Sequence, residues 1–159
     1  MTDIPQPQWR TISKEVRSKL GISPHFRPWT QAGKELRFVP RSSRMRDVLD
    51  VAWASSERRT PLHCDLSQCV SRKRWSHDIA PCLTGSTVMY DFAADEVWSA
   101  VCNLAVQGHP VKDLSLSNLS AAQVRDLAGE GIFLPNLAVV LCGLFLNSKA
   151  PWWGTAGDA

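Results

Sequence analysis

The chain has 159 residues, 44% of them hydrophobic and 21% charged. That is the size and make-up of one globular domain, which excludes a disordered polymer and a collagen-like or mucin-like chain. The net charge of +3 hides an asymmetry: residues 1–80 hold 15 Lys/Arg against 8 Asp/Glu (+7), and residues 81–159 hold 3 against 7 (−4). A basic half beside a more apolar, acidic half fits either a polyanion-binding face or an ordinary solvated surface.

The opening Met-Thr-Asp-Ile-Pro has neither a basic n-region nor an apolar h-region, and the five cysteines are an odd number. An intracellular, reduced protein is expected, with the nucleus included should it meet DNA. The longest apolar run, Ile132 to Leu146, contains Pro135 and Asn136 and falls short of the roughly 20 residues a membrane span needs. No membrane partner is expected.

In chain order, residues 1–41 form a basic, proline-rich arm in which only Ser13 to Leu20 reads as a short helix. Its Trp9, Phe26, Trp29 and Phe38 alternate with Arg10, Arg17, Arg27, Lys34 and Arg37. These aromatics either stack on nucleic-acid bases beside phosphates or anchor the arm on a core. From residue 42 to 149 the pattern is mixed α/β, and 150–159 reads as a tail. Ser43 to Ser56 is a helix by its Ser cap and the spacing of Met45, Val48, Leu49, Ala52 and Trp53, with Arg41, Arg44, Arg46, Arg58 and Arg59 crowding its ends. Leu62 to Leu66 and Ser86 to Phe92 read as a small pair of strands.

Three helices complete the chain. Asp95 is expected to cap one running to about Gln107, which Gly108-His109-Pro110 stops. Ser120-Ala121-Ala122-Gln123 is a capping box opening the next, which ends near Gly129. The last has Pro135 in its first turn and almost nothing polar from Leu137 to Leu146. A helix apolar all round is expected to be strongly buried, and two helices and two strands are thin cover for it. Part of its core is therefore expected from residues outside this chain.

Most catalytic signatures are absent. No G-x-G-x-x-G, G-x-x-x-x-G-K-[ST], H-E-x-x-H or G-x-S-x-G occurs, which removes a self-sufficient nucleotide or S-adenosylmethionine loop, a zincin and a serine hydrolase. His63, Cys64, Cys69, His77 and Cys82 fall within twenty residues, but C-x4-C is not the spacing of a common zinc knuckle. They read as buried thiols and ordinary histidines, with no metal. Pro81-Cys82 carries a thiol that Arg72, Lys73, Arg74 or His77 could activate, yet a two-residue signal favours a buried structural cysteine. Asp91, Asp95 and Glu96 read as capping and solvated carboxylates. No catalytic residue is assigned.

Three segments in order resemble the C-terminal motifs of cytosine-5 DNA methyltransferases: Pro81-Cys82-Leu83-Thr84, then Asn103 to Pro110 (N-L-A-V-Q-G-H-P), then Leu127 to Gly131 (L-A-G-E-G) leading into the apolar helix. The resemblance covers about residues 62–146, with Leu83, Thr84, Gln107, Gly108, Pro110, Gly129 and Glu130 at the family's motif positions. In that family an L-T segment precedes a helix ending in L-Q-G-F-P, and a G-N turn begins a last helix that returns to the catalytic domain beside the cofactor pocket. The chain departs from the pattern at Cys102 (Glu in the family), His109 (Phe) and Glu130 (Asn). Gln68, Arg72 and Arg74, with Lys73 between the arginines, echo, with a wider first gap, a Q-x-R-x-R segment of the family whose arginines face the substrate, or form a solvated basic turn.

The family's cofactor loop, Pro-Cys nucleophile and Glu-Asn-Val element precede these motifs, and none is found here. The resemblance thus implies a non-catalytic recognition and closing-helix segment, inactive alone and part of a larger methyltransferase fold. Its partners would be DNA and a catalytic domain, either N-terminal to it or on another chain, and S-adenosylmethionine would bind only through that domain. The alternative is a stand-alone nucleic-acid or protein interaction module with no methyltransferase relationship.

Overall fold

A computed structural model describes residues 6–31, 35–38, 40, 42–58, 60, 62–77 and 79–146. Lys34, Arg41, Arg59 and the 150–159 tail lie outside the described residues. The architecture is mixed α/β: helices α1 (Gln6–Lys19) and α2 (Ser43–Ser55) come first, then short strands β1 (His63–Asp65), β2 (Trp75–Ser76), β3 (Met89–Asp91) and β4 (Glu96–Val97), then helices α3 (Ala100–Val106), α4 (Ala121–Glu130) and α5 (Leu134–Leu146).

The strands form one antiparallel sheet in the order β2-β1-β3-β4, with Cys64 opposite both Trp75 and Tyr90, and Tyr90 opposite Val97. The two expected strands hold β1 and β3. The two outer strands are two residues long, too short to leave a periodic signal.

The main core lies between α2 and this sheet. Val48, Leu49, Val51 and Ala52 pack against Leu62, Cys64, Leu66, Tyr90 and Phe92, and Trp29 from the arm completes the cluster. Trp29 meets Trp53 at 4.7 Å and Phe92 at 4.6 Å, and Phe38 meets Tyr90 at 5.8 Å between ring centroids. The Trp29 Nε1–H donates to the Tyr90 hydroxyl at 2.9 Å, and that hydroxyl donates to Asp95. Trp29 and Phe38 therefore anchor the arm, whereas Phe26 is exposed with the Arg58 guanidinium over its ring.

The arm is more regular than its prolines suggest. α1 begins at Gln6 and holds Pro7 in its first turn, where a missing N–H leaves no bond unmade. It is tied down by Arg17, 1% exposed, whose Nε and Nη2 both donate to Asp47 Oδ1 at 2.8–2.9 Å and whose Nη1 donates to the carbonyls of Ser23 and Phe26. Ser13 donates to the same carboxylate. Asp50 in turn accepts from the Trp29 and Thr30 backbone N–H groups and the Thr30 hydroxyl.

Asp95 does not cap a helix. It sits at φ +53° in the β3–β4 turn, where its carboxylate accepts from the Arg37 N–H and from Tyr90. The cap of α3 is Ser99, which accepts from the Cys102 N–H at 3.1 Å. Both bonds of the capping box at Ser120 and Gln123 are made, as the spacing predicts. A second, smaller core joins α3 to α4 through Ala100, Leu104, Val124 and Ala128.

The strong burial expected of the last helix is not found: every α5 residue is half-buried or exposed. Ala121–Leu146, taken as one bent helix, contains an 18-residue window of mean hydropathy 1.8 and is long and apolar enough, by length and composition alone, to cross a membrane. Gly131 is extended, however (φ −69°, ψ 153°). That break leaves α5 as 13 residues, about 20 Å at 1.5 Å per residue against a hydrocarbon core of about 30 Å.

Candidate functional site

The three motif segments, far apart in sequence, converge on the end of α3. Helix α3 stops in a Schellman turn: the Gly108 N–H donates to the Ala105 carbonyl at 2.9 Å and the His109 N–H to the Leu104 carbonyl at 3.2 Å, with Gly108 at φ +83°. Only glycine takes that conformation without strain. A β-carbon on Gly108 would also lie 2.7 Å from the Pro135 ring, so the same glycine lets α5 start against the end of α3.

Gln107 holds the junction from both ends. Its carbonyl accepts from the Leu134 N–H at 3.0 Å, and its buried side chain donates to the Ala128 carbonyl. On the far side of α4, Gly129 lies so close to residues 84–85 that a β-carbon there would overlap the Thr84 and Gly85 backbone. A β-carbon on Gly131 would lie 2.6 Å from Gln107 Oε1. Thr84 is fixed by its N–H donating to the Thr87 hydroxyl at 2.8 Å, while Leu83 is buried.

Leu83, Thr84, Gln107, Gly108 and Gly129 are thus brought together, whereas Pro110 and Glu130 are exposed at its edge. Asn103 Oδ1, Gln107 Oε1 and His109 Nε2 are buried there without a hydrogen-bond partner. Each such group costs about 1–3 kcal/mol, and all three lie in the Asn103 to Pro110 motif segment.

Gln68, Arg72, Lys73 and Arg74 share the β1–β2 hairpin loop. Asp65 organises it, its Oδ1 accepting from the Ser67 N–H at 2.9 Å and the Ser67 hydroxyl at 2.7 Å. Arg44 ties it to α2 through the carbonyls of Ser67 and Gln68. A 3-10 turn at Val70–Arg72 and Lys73 at φ +48° carry the three cations outward, all exposed and without an ion pair among the described residues. Gln68 is half-buried, and its amide donates to the Ser67 hydroxyl at 3.2 Å. The arginines and lysine face solvent together, and the glutamine is occupied locally.

The cysteines and histidines do not converge. Among the described residues no group of three His, Cys, Asp or Glu lies close enough to hold a metal ion. Cys64 is fully buried, and burial, with Asp65 beside it, pushes its thiol far above the ordinary value near 9. Cys82, expected as a buried structural thiol, is exposed instead, since it lies in the open stretch between β2 and β3. His63 packs against Trp98 at 5.2 Å, and His77 lies 3.2 Å from the Ser56 carbonyl. Asp91 closes a turn by accepting from the Ala93 and Ala94 N–H groups, and Glu96 is exposed.

Compared with known proteins, the chain matches no protein-family model, and no curated protein matches it.

Proposed function

We propose that the chain is the non-catalytic recognition and closing-helix segment of a cytosine-5 DNA methyltransferase-like protein, completed by a catalytic domain N-terminal to it or on a partner chain. The observation that carries this reading is the junction itself. Three motif segments around Thr84, Gln107 and Gly129 meet there through glycines that a side chain would separate, and an uncovered apolar helix springs from it. A stand-alone module would be expected to cover such a helix; a closing helix leaves it for the domain it closes on.

The exposed Arg72, Lys73 and Arg74 contact DNA phosphates in this reading and confer little sequence preference, because phosphates carry none. S-adenosylmethionine enters only through the completing domain, and no residue of this chain is assigned to it.

Incubating the purified chain with labelled S-adenosylmethionine and DNA is expected to transfer no methyl group, and label on cytosine would overturn the non-catalytic role. DNA binding by the chain is expected to be weak and steeply salt-dependent. Replacing Arg72, Lys73 and Arg74 by Ala should flatten the log–log salt slope by about 0.9 for each phosphate no longer neutralised. An unchanged slope and affinity would remove the DNA contact.

A further inference from the structure

We infer that the cleft between α1, the 24–31 loop and the start of α2 binds a phosphate group, at a site separate from the β1–β2 hairpin and independent of the methyltransferase reading. The cavity has a volume of about 570 Å³ and is walled by Arg10, Lys14 and Ser13 from α1, by Arg27 and Thr30 from the loop, and by Arg46 from α2. Its walls come from three segments of the chain, and no sequence motif places their cations together.

The charge balance inside the cleft sets its preference. Its one carboxylate, Asp47, is engaged by Arg17 at Oδ1 and by Ser13 at Oδ2, and every nitrogen of the Arg17 guanidinium is in use, since Nη1 holds the Ser23 and Phe26 carbonyls. Behind the wall, Asp50 lies 3.7 Å from the Arg27 guanidinium. The buried acids are therefore neutralised from within, and the charges nearer the mouth are left over. Lys14 is exposed with no hydrogen bond or ion pair among the described residues, Arg10 only covers the Trp9 ring at 5.7 Å, and Arg46 uses Nε on the Pro40 carbonyl at 2.7 Å. Three cations facing one cavity whose carboxylate is spent attract a multiply charged oxyanion, and two guanidinium forks beside an ammonium match the oxygens of a phosphate.

Trp9 is buried and capped by Arg10, so its ring is closed to a stacking base, and the exposed ring in the lining is that of His25. The ligand is set by its phosphate, which a free phosphate ester and a nucleic-acid backbone both supply.

The test is a titration of the full 159-residue chain with inorganic phosphate, a nucleoside 5′-monophosphate and a short single-stranded oligodeoxynucleotide, followed by NMR shifts of the Arg10, Lys14 and Arg46 side chains. All three ligands are expected to move these signals. Affinity rising with oligonucleotide length identifies a nucleic-acid backbone as the source, and equal affinity for the monophosphate identifies a free ester. Lys14→Gln and Arg10→Gln should each weaken binding about tenfold, as removal of a charge-assisted hydrogen bond does, while Lys112→Gln, exposed between α3 and α4, leaves monophosphate binding unchanged. Lys14→Arg, which keeps the charge, should retain binding and thereby separate charge loss from misfolding. Phosphate that leaves these signals unmoved, or affinity unaffected by Lys14→Gln and Arg10→Gln in a folded chain, overturns the inference.

Discussion

Replacing Leu141 and Phe145 together by Ser probes the uncovered helix. Leu141 is 39% exposed and Phe145 58%, so a surface that covered α5 would remove from these two positions about the area of one whole large apolar side chain. Fully burying such a side chain is worth about 1.5–3 kcal/mol. The double substitution should therefore weaken any association that covers α5 by about 10- to 150-fold. Neither residue belongs to the two hydrophobic clusters, so the fold itself should lose no more than about 0.7 kcal/mol per site in helix propensity. The assay is sedimentation velocity over a range of concentrations, with ANS fluorescence measured in parallel. The unmodified chain should self-associate and bind the dye, and the L141S/F145S chain should be closer to monomeric and bind less. A monomeric, dye-free chain that the double substitution unfolds would refute the reasoning, because the preceding residues would then already enclose α5.

The glycines give a paired prediction. Gly129→Ala drives a β-carbon into the Thr84–Gly85 backbone and should cost about 1–3 kcal/mol or more in a urea titration, whereas Gly143→Ala meets nothing within 4 Å and should be neutral or stabilising by up to about 1 kcal/mol; equal losses at both sites would contradict the junction. Asp47→Ala leaves the Arg17 guanidinium buried without its carboxylate and should cost about 3–5 kcal/mol by the same titration. Burial raises the Cys64 thiol above its ordinary value near 9, and burial with the bond to Asp95 raises the Tyr90 phenol above 10. The unfolded chain then loses these protons where the folded chain keeps them. Stability should fall as pH rises above about 9, by about 1.4 kcal/mol per pH unit for each group fully ionised only in the unfolded state. A flat profile from pH 8 to 11 would argue against both burials. In the folded chain at pH 8 a thiol reagent should modify the exposed Cys82, Cys102 and Cys142 and spare Cys64.

The elements readable from the sequence are those whose signal is local. Ser43 to Ser56 carries the helical period and the Ser120 box carries period and cap together, and α2 and α4 lie where those signals put them, although Ser43 falls inside α2 and the N-cap, Ser42, makes no side-chain cap bond. Asp95 and Ser99 both have cap chemistry, and which one caps α3 is settled by the β3–β4 turn, a tertiary feature that takes Asp95 for itself. Pro7 resembles a breaker until its place in a first turn is known. The apolar run of α5 reveals that something should cover it, but periodicity cannot say whether the cover belongs to the same chain. At the candidate site the glycines are visible as motif positions, yet the approach of Gly129 to Gly85 across 44 positions of chain is a property of the fold. The basic cleft is least visible, because Arg46 joins Arg10 and Lys14 through the docking of α1 on α2, in which the Arg17–Asp47 bridge takes part.

As proposed above, this chain closes a methyltransferase whose catalytic parts lie elsewhere. The most direct test is to determine the nucleotide sequence upstream of the Met1 codon, in all frames, together with the transcript that carries it. The expected result is a coding sequence for a glycine-rich cofactor loop, then a Pro-Cys element, then a Glu-Asn-Val element, ahead of residue 1 or on a neighbouring chain. A transcript in which residues 1–159 stand alone, with none of these elements encoded beside them, would contradict the claim.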